Sequence, residues 1–144
     1  MLDTSILQQV TDVFRTLEAH YTLRISHSPQ REESKQLIEF LNDFQGTSSH
    51  LNVEVHETDG DTFGFALLKN GEETGIYFRG IPNGHEFTSL LLAILNADGK
   101  GKNLPDEGVA RRIRALKGDI HLQTFVSLTC TNCPDVVRTL NIFA

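Results

Sequence analysis

The sequence predicts an α/β protein built on a mixed sheet of four strands, and three observations carry that expectation. Apolar residues switch between helical and strand spacing in the order α-β-α-β-β-β-α. The pair Asn70-Gly71 joins two apolar runs, the strongest short-range signal for a hairpin and hence for an antiparallel pair. The run Arg15 to Leu23 superposes without gaps on Arg114 to Leu122, with three of nine residues identical, and the same helix, strand and helix start follow in both places.

The elements follow in order. Ile6, Leu7, Val10, Val13, Phe14 and Leu17 recur at helical spacing and predict an amphipathic helix over 3–19. Tyr21, Leu23 and Ile25 alternate with Thr22 and Arg24, a strand ending near Ser26. Ser28-Pro29 reads as an N-cap with proline at the first helical position, followed by Glu32 and Glu33 in the opening turn. This helix is expected to bury Leu37, Ile38, Leu41 and Phe44 and to end at Gly46. Leu51, Val53 and Val55 mark a second strand running to Glu57 before an Asp59-Gly60 turn, and two more strands cover 63–69 and 74–79. A helix from about His85 to Asn96 closes the set near Gly99.

After its leading helix this order contains a β-α-β unit followed by β-β-α, the core of a thioredoxin fold. The right-handed β-α-β crossover supplies a parallel pair and the hairpin an antiparallel one. Beyond the polar stretch 99–104, Pro105 to Lys117 reads as a helix with acids first and bases last, stopped by Gly118. Ile120, Leu122, Phe125 and Leu128 then predict a strand, and Cys130 stands where the next helix is expected to begin. The expected organisation is a complete thioredoxin-like unit without cysteine at 1–98, a linker at 99–104, and the start of a second unit with a C-x-x-C at 105–144, which stops short of its remaining strands.

Charge narrows the function. A formal net charge of −6 and a pI near 5.4 repel phosphate backbones, so nucleic acid is not an expected partner. Arg111, Arg112, Arg114 and Lys117 cluster, but near the end of a helix, where cations complement the dipole. The N-terminus lacks a basic leader and no run of 18 apolar residues occurs, so no membrane association is expected and the cytoplasm is the default compartment.

The only two cysteines, Cys130 and Cys133, lie in Thr129-Cys130-Thr131-Asn132-Cys133-Pro134-Asp135. That excludes a disulfide scaffold and leaves redox or metal chemistry. Structural zinc wants four ligands; there is no second C-x-x-C and no H-x(3–5)-H, and His121 supplies at most a third ligand. Redox chemistry fits better. A thiolate, not a thiol, attacks a disulfide, and a cysteine at a helix N-terminus has its thiolate favoured by unpaired N–H groups and the helix dipole. Cys133 lies one turn on, able to resolve a mixed disulfide, and Pro134 falls where a missing N–H costs little.

Two other residues have a sharp and a plain reading. Glu86 opens a leucine-rich helix: plainly, it is a first-turn acid favoured by the dipole; sharply, it accepts a proton near the cysteines. In the first unit the junction equivalent to the dithiol reads Ser26-His27-Ser28-Pro29-Gln30, without cysteine, so it is expected to be structural. His27 is read there as an exposed loop histidine, with a catalytic role as the alternative.

The opening Met1-Leu2-Asp3-Thr4, the segment Gly84-His85-Glu86-Phe87-Thr88-Ser89-Leu90, and Cys130-Thr131-Asn132-Cys133-Pro134-Asp135-Val136-Val137 with Leu140-Asn141 and Ala144 closely resemble the N-terminal domain of bacterial alkyl hydroperoxide reductase F subunits, over the whole chain. The resemblance implies tandem thioredoxin-like folds, the second carrying the dithiol. It implies that electrons pass from a flavin reductase portion of the same polypeptide, which oxidises NADH and holds FAD, to a peroxiredoxin partner, the C subunit. Cys130 is then the attacking sulfur, Cys133 the resolving one, and Glu86 a residue that assists proton transfer.

The sequence departs from the family at Thr131, where Cys-His-Asn-Cys is usual, which changes what stabilises the thiolate. Gly99-Lys100-Gly101-Lys102-Asn103-Leu104 fails the dinucleotide pattern at its sixth place, so no FAD or NAD site is expected within these residues, and for want of a fourth ligand no metal site is expected either. Two other functions compete: a stand-alone thioredoxin- or glutaredoxin-like disulfide reductase, and a non-catalytic adaptor or dimerisation module, with a homodimer as the assembly to test.

Overall fold

The computed structural model describes residues 2–58, 62–102 and 104–144. The expected Asp59-Gly60 turn lies outside the described residues. Elements run α1 (Thr4–Phe14), β1 (Tyr21–His27), α2 (Glu32–Gln45), β2 (Leu51–Glu57), β3 (Gly64–Lys69), β4 (Glu72–Phe78), α3 (Glu86–Ala97), α4 (Glu107–Arg114) and α5 (Cys133–Phe143). They fall into two compact units, one through Pro82 and the other Asn83–Ala144, so α3 is grouped with the C-terminal stretch. No described helix is long and apolar enough to cross a membrane.

In the first unit the sheet order is β2-β1-β3-β4. β1 runs parallel to β2 and antiparallel to β3, and β3 pairs antiparallel with β4, the mixed sheet expected of a thioredoxin core. The alternation of β1 is what seats it: Tyr21, Leu23 and Ile25 are completely buried. Leu23 lies opposite Val53 on one side and Leu67 on the other. Full burial of one such aliphatic side chain contributes roughly 1.5–3 kcal/mol, so this row anchors the unit. The hairpin turns through Asn70 at φ 51° and Gly71 at φ 87°. Two consecutive positive φ values make a type I′ turn, whose twist matches the flanking strands.

α2 packs on β1 and β2 and buries Leu37, Phe40, Leu41 and Phe44. Phe40 therefore takes the place expected for Ile38, which is only half-buried. α1 is shorter than expected and is capped by the Asp3 side chain, which accepts from the Ser5 N–H. It meets α2 through Phe14 and Phe44, whose rings sit edge to face at 5.6 Å between centroids. Arg24 projects from β1 to Glu54 on β2 at 3.3 Å and to Glu73 on β4 at 3.6 Å, tying three strands together.

Ser28-Pro29 does not cap α2. Residues 28–31 make a separate turn, with Arg31 N–H donating to the Ser28 carbonyl and Ser28 N–H to Ser34 Oγ at 3.3 Å. The helix begins after Arg31, which makes no side-chain cap.

In the second unit α3 packs against α5, and α4 starts at the Asp106 cap, shorter than the expected 105–117, leaving Lys117 outside it. The strand expected over Ile120, Leu122, Phe125 and Leu128 is not formed. A strand exists only in a hydrogen-bonded ladder, and among the described residues no strand pairs with this stretch. Its apolar side chains are consequently exposed, Phe125 at 91%.

Candidate functional site: the dithiol at the head of α5

Cys130 and Cys133 form a disulfide with their Cα atoms 5.5 Å apart. The sequence reading starts the helix at Cys130; the helix in fact starts at Cys133, with Asn132 as N-cap and proline in the first turn. Proline cannot donate, so it fits the first turn and helps set the start there. Cys130 lies just before it, in a turn closed by its own N–H donating to the Ser127 carbonyl at 2.9 Å. From the helix start, the Cys133 N–H donates to Cys130 Sγ at 3.2 Å. Both cysteines are half-buried. A backbone donor aimed at Sγ of Cys130 favours negative charge on that sulfur, which is what an attacking or leaving thiolate carries.

The segment leading to Cys130 is held by the start of α3. His85 N–H donates to the Leu128 carbonyl at 3.2 Å. Gly84, at φ +55°, makes the approach feasible: a Cβ there would lie 2.8 Å from the Leu128 carbonyl oxygen. Glu86 is the first residue of α3, one position beyond the residue that bonds Leu128.

Glu86 is not a surface acid. It is 3% exposed. Its Oε2 accepts a hydrogen bond from Ser89 Oγ at 2.7 Å, while Oε1 is buried with no hydrogen-bond partner among the described residues. Ser89 itself is fully buried. Sequence reasoning missed Ser89, although its signal was present: a hydroxyl three residues after a carboxylate on one helix face.

His27 ends β1 and is not the exposed loop residue expected; it is half-buried, and its Nδ1 is buried without a hydrogen-bond partner among the described residues. Its carbonyl accepts from Thr58 N–H at 2.9 Å. The first unit brings no cysteine to this junction.

No family model matches the chain. It is 37% identical over all 144 residues to the alkyl hydroperoxide reductase F subunit of Staphylococcus epidermidis and 35% identical to a Bacillus subtilis NADH dehydrogenase. It spans 28% of the length of these curated relatives. The NTD_N/C domain of alkylhydroperoxide reductase AhpF from Enterococcus faecalis is 31% identical, with a TM-score of 0.84 over 99% of this chain and 74% of that one.

The chain belongs to the family of alkyl hydroperoxide reductase F subunits. Within that family it matches the N-terminal domain. A protein disulfide oxidoreductase from Aeropyrum pernix, 20% identical, superposes with a TM-score of 0.85 over all of this chain and 68% of that one, a likeness of fold. The fold is thioredoxin-like, and its disulfide-forming C-x-x-C gives the chain disulfide oxidoreductase character.

The described residues do not form a Rossmann-type dinucleotide site, which holds the pyrophosphate on a glycine-rich turn between the first strand and its crossover helix; here β1 leads into α2 through Ser28, Pro29, Gln30 and Arg31. Among the described residues no group of three or more His, Cys, Asp or Glu is placed to hold a metal ion.

Proposed function

We propose that this chain carries electrons by thiol-disulfide exchange, from a flavin- and NADH-dependent portion of a longer polypeptide to the disulfide of a peroxiredoxin, the C subunit of alkyl hydroperoxide reductase. The observation that carries the reading is the Cys133 N–H directed at Cys130 Sγ at the head of α5. Family membership supports the two ends of the electron path, and the cytoplasm suits a dithiol that must cycle through its reduced state.

In the proposed reaction the reduced Cys130 thiol gives its proton to Glu86 as its sulfur attacks one sulfur of the peroxiredoxin disulfide. That S–S bond breaks, and the other peroxiredoxin sulfur leaves as a thiolate and takes up a proton from water. Cys133 then loses its proton to water and attacks Cys130 Sγ; the mixed disulfide breaks, the Cys130–Cys133 disulfide forms, and the second peroxiredoxin sulfur leaves and takes the proton that Glu86 holds. Two electrons and two protons have passed to the peroxiredoxin. FAD and NADH supply the electrons that regenerate the dithiol, and their binding residues lie outside this chain.

Glu86 supports this scheme by its place at the start of α3, beside the residue that holds Leu128, and by a buried oxygen free to accept. The test is stopped-flow mixing of the reduced chain with oxidised peroxiredoxin. Glu86→Gln should slow transfer by about 10²-fold, the lower end for general acid-base catalysis. A reduced chain that leaves the peroxiredoxin disulfide intact would remove the proposed partner.

A further inference from the structure

We infer that Ser89 is a positioning residue for the Glu86 carboxylate, holding it so that Oε1 is the oxygen that takes the proton. The inference rests on the reading of Glu86 as proton acceptor given above.

A buried hydroxyl has a single proton to donate. In a helix, serine commonly gives it to a carbonyl one turn back. Ser89 directs it to Glu86 Oε2 instead, at 2.7 Å and fully buried. A hydrogen bond to an ionised oxygen is stronger than one between neutral groups and fixes direction as well as energy. It therefore selects one Glu86 rotamer and occupies one of the two carboxylate oxygens.

The other oxygen shows what that selection achieves. Oε1 is buried and lacks a hydrogen-bond partner among the described residues, an arrangement that costs stability when a carboxylate serves only structure. Here the bare lone pairs are the open acceptor sites on the group. A proton arriving at Glu86 lands on Oε1, while Oε2 stays tied to Ser89. The link spans three residues on one helix, so the pair is set by α3 itself.

Two substitutions and one spectrum test this, using the whole chain reduced and mixed with oxidised peroxiredoxin. Ser89→Ala should slow transfer by about 10-fold, the order expected when a hydrogen bond to a charged group is lost from a reacting geometry. Ser89→Thr, which keeps the hydroxyl, should restore most of the rate. With Cys133→Ser holding the chain as the mixed disulfide, where Glu86 keeps the Cys130 proton, the infrared difference spectrum against the same chain reduced should show the C=O band of a protonated carboxyl, absent in Glu86→Gln and moved to higher frequency in Ser89→Ala. Equal slowing by Ala and Thr, or an unmoved band in Ser89→Ala, would overturn the positioning role. So would an unaltered rate in Ser89→Ala while Glu86→Gln is slow, an outcome that spares the reading of Glu86. Full speed in Glu86→Gln removes that reading and this one together. Should Ser89→Ala not fold, the band of the mixed disulfide with Ser89 in place decides: a frequency typical of a hydrogen-bonded carboxyl supports the role, and that of a free carboxyl overturns it.

Discussion

Replacing Gly84 with alanine puts a methyl group where the backbone of the dithiol segment already lies. Two costs can be separated. The residue sits at φ +55°, and a left-handed conformation costs an L-residue roughly 1–2 kcal/mol. The new Cβ would meet the Leu128 carbonyl oxygen at 2.8 Å and its carbon at 3.6 Å. The gap must open toward the ~3.5 Å of ordinary contact, which pulls on the His85 N–H bond to that same oxygen, already 3.2 Å long. Losing that bond adds about 1 kcal/mol, for a total of about 2–3 kcal/mol. Gly71 is the control: its φ is +87° and a Cβ there meets nothing within 4 Å, so Gly71→Ala should carry the backbone cost alone. The assay is native-state hydrogen exchange, read at the His85 and α3 amides for Gly84→Ala and at the β3 and β4 amides for Gly71→Ala. Gly84→Ala should expose the His85 amide and cost about 1 kcal/mol more than the control. Equal costs, or an unchanged His85 amide, would refute the claim that this close approach clamps the start of α3 to the segment before Cys130.

Three further outcomes follow from the structure. Phe44→Ala removes the fully buried partner of Phe14 and should cost about 3–5 kcal/mol in urea unfolding. Tyr77 donates to Glu73, and this hydrogen bond, with some burial and the carboxylate's charge, holds its hydroxyl above the usual tyrosine range. Because the neutral phenol is the favoured form, the stabilisation is complete below the unfolded pKa and is lost as pH rises through the higher folded one; the ultraviolet titration of Tyr77 should move down in Glu73→Gln. Amides over 120–128 should exchange rapidly in a dilute monomer, since no ladder protects them; protection equal to that of β1 would overturn the absence of a strand there.

The sheet was legible because its signals are local. The alternation of β1, the Asn70-Gly71 turn and the helical spacing of α2 each specify their element without help from distant residues. The limit of that reading is visible in the repeat. Leu17, Tyr21 and Leu23 are 4%, 0% and 0% exposed, whereas their counterparts Leu116, Ile120 and Leu122 are 61%, 56% and 62% exposed. Alternation says which face of a segment is apolar; it does not say whether a partner strand lies beside it. The start of α2 was misread for a related reason: Ser28-Pro29 is a sound local cap signal, but Ser28 N–H is taken by buried Ser34 from inside the helix.

At the site, the dithiol and Glu86 stood out as residue types at telling positions, but the helix start was read at Cys130, whereas the structure puts it at Cys133, with Pro134 in the first turn. The burial of Glu86 was not legible, because an acid in a first turn is ordinarily solvated. Its Ser89 partner had a helix-spacing signal that became meaningful only once burial was known.

The most direct test of the central claim is covalent trapping. The Cys133→Ser chain, reduced and mixed with oxidised peroxiredoxin, keeps the attacking sulfur and lacks the one that resolves the mixed disulfide. Mass spectrometry under non-reducing conditions should find a one-to-one adduct joined through Cys130, and Cys130→Ser should give none. An adduct formed by Cys130→Ser and not by Cys133→Ser would make Cys133 the nucleophile and contradict the account.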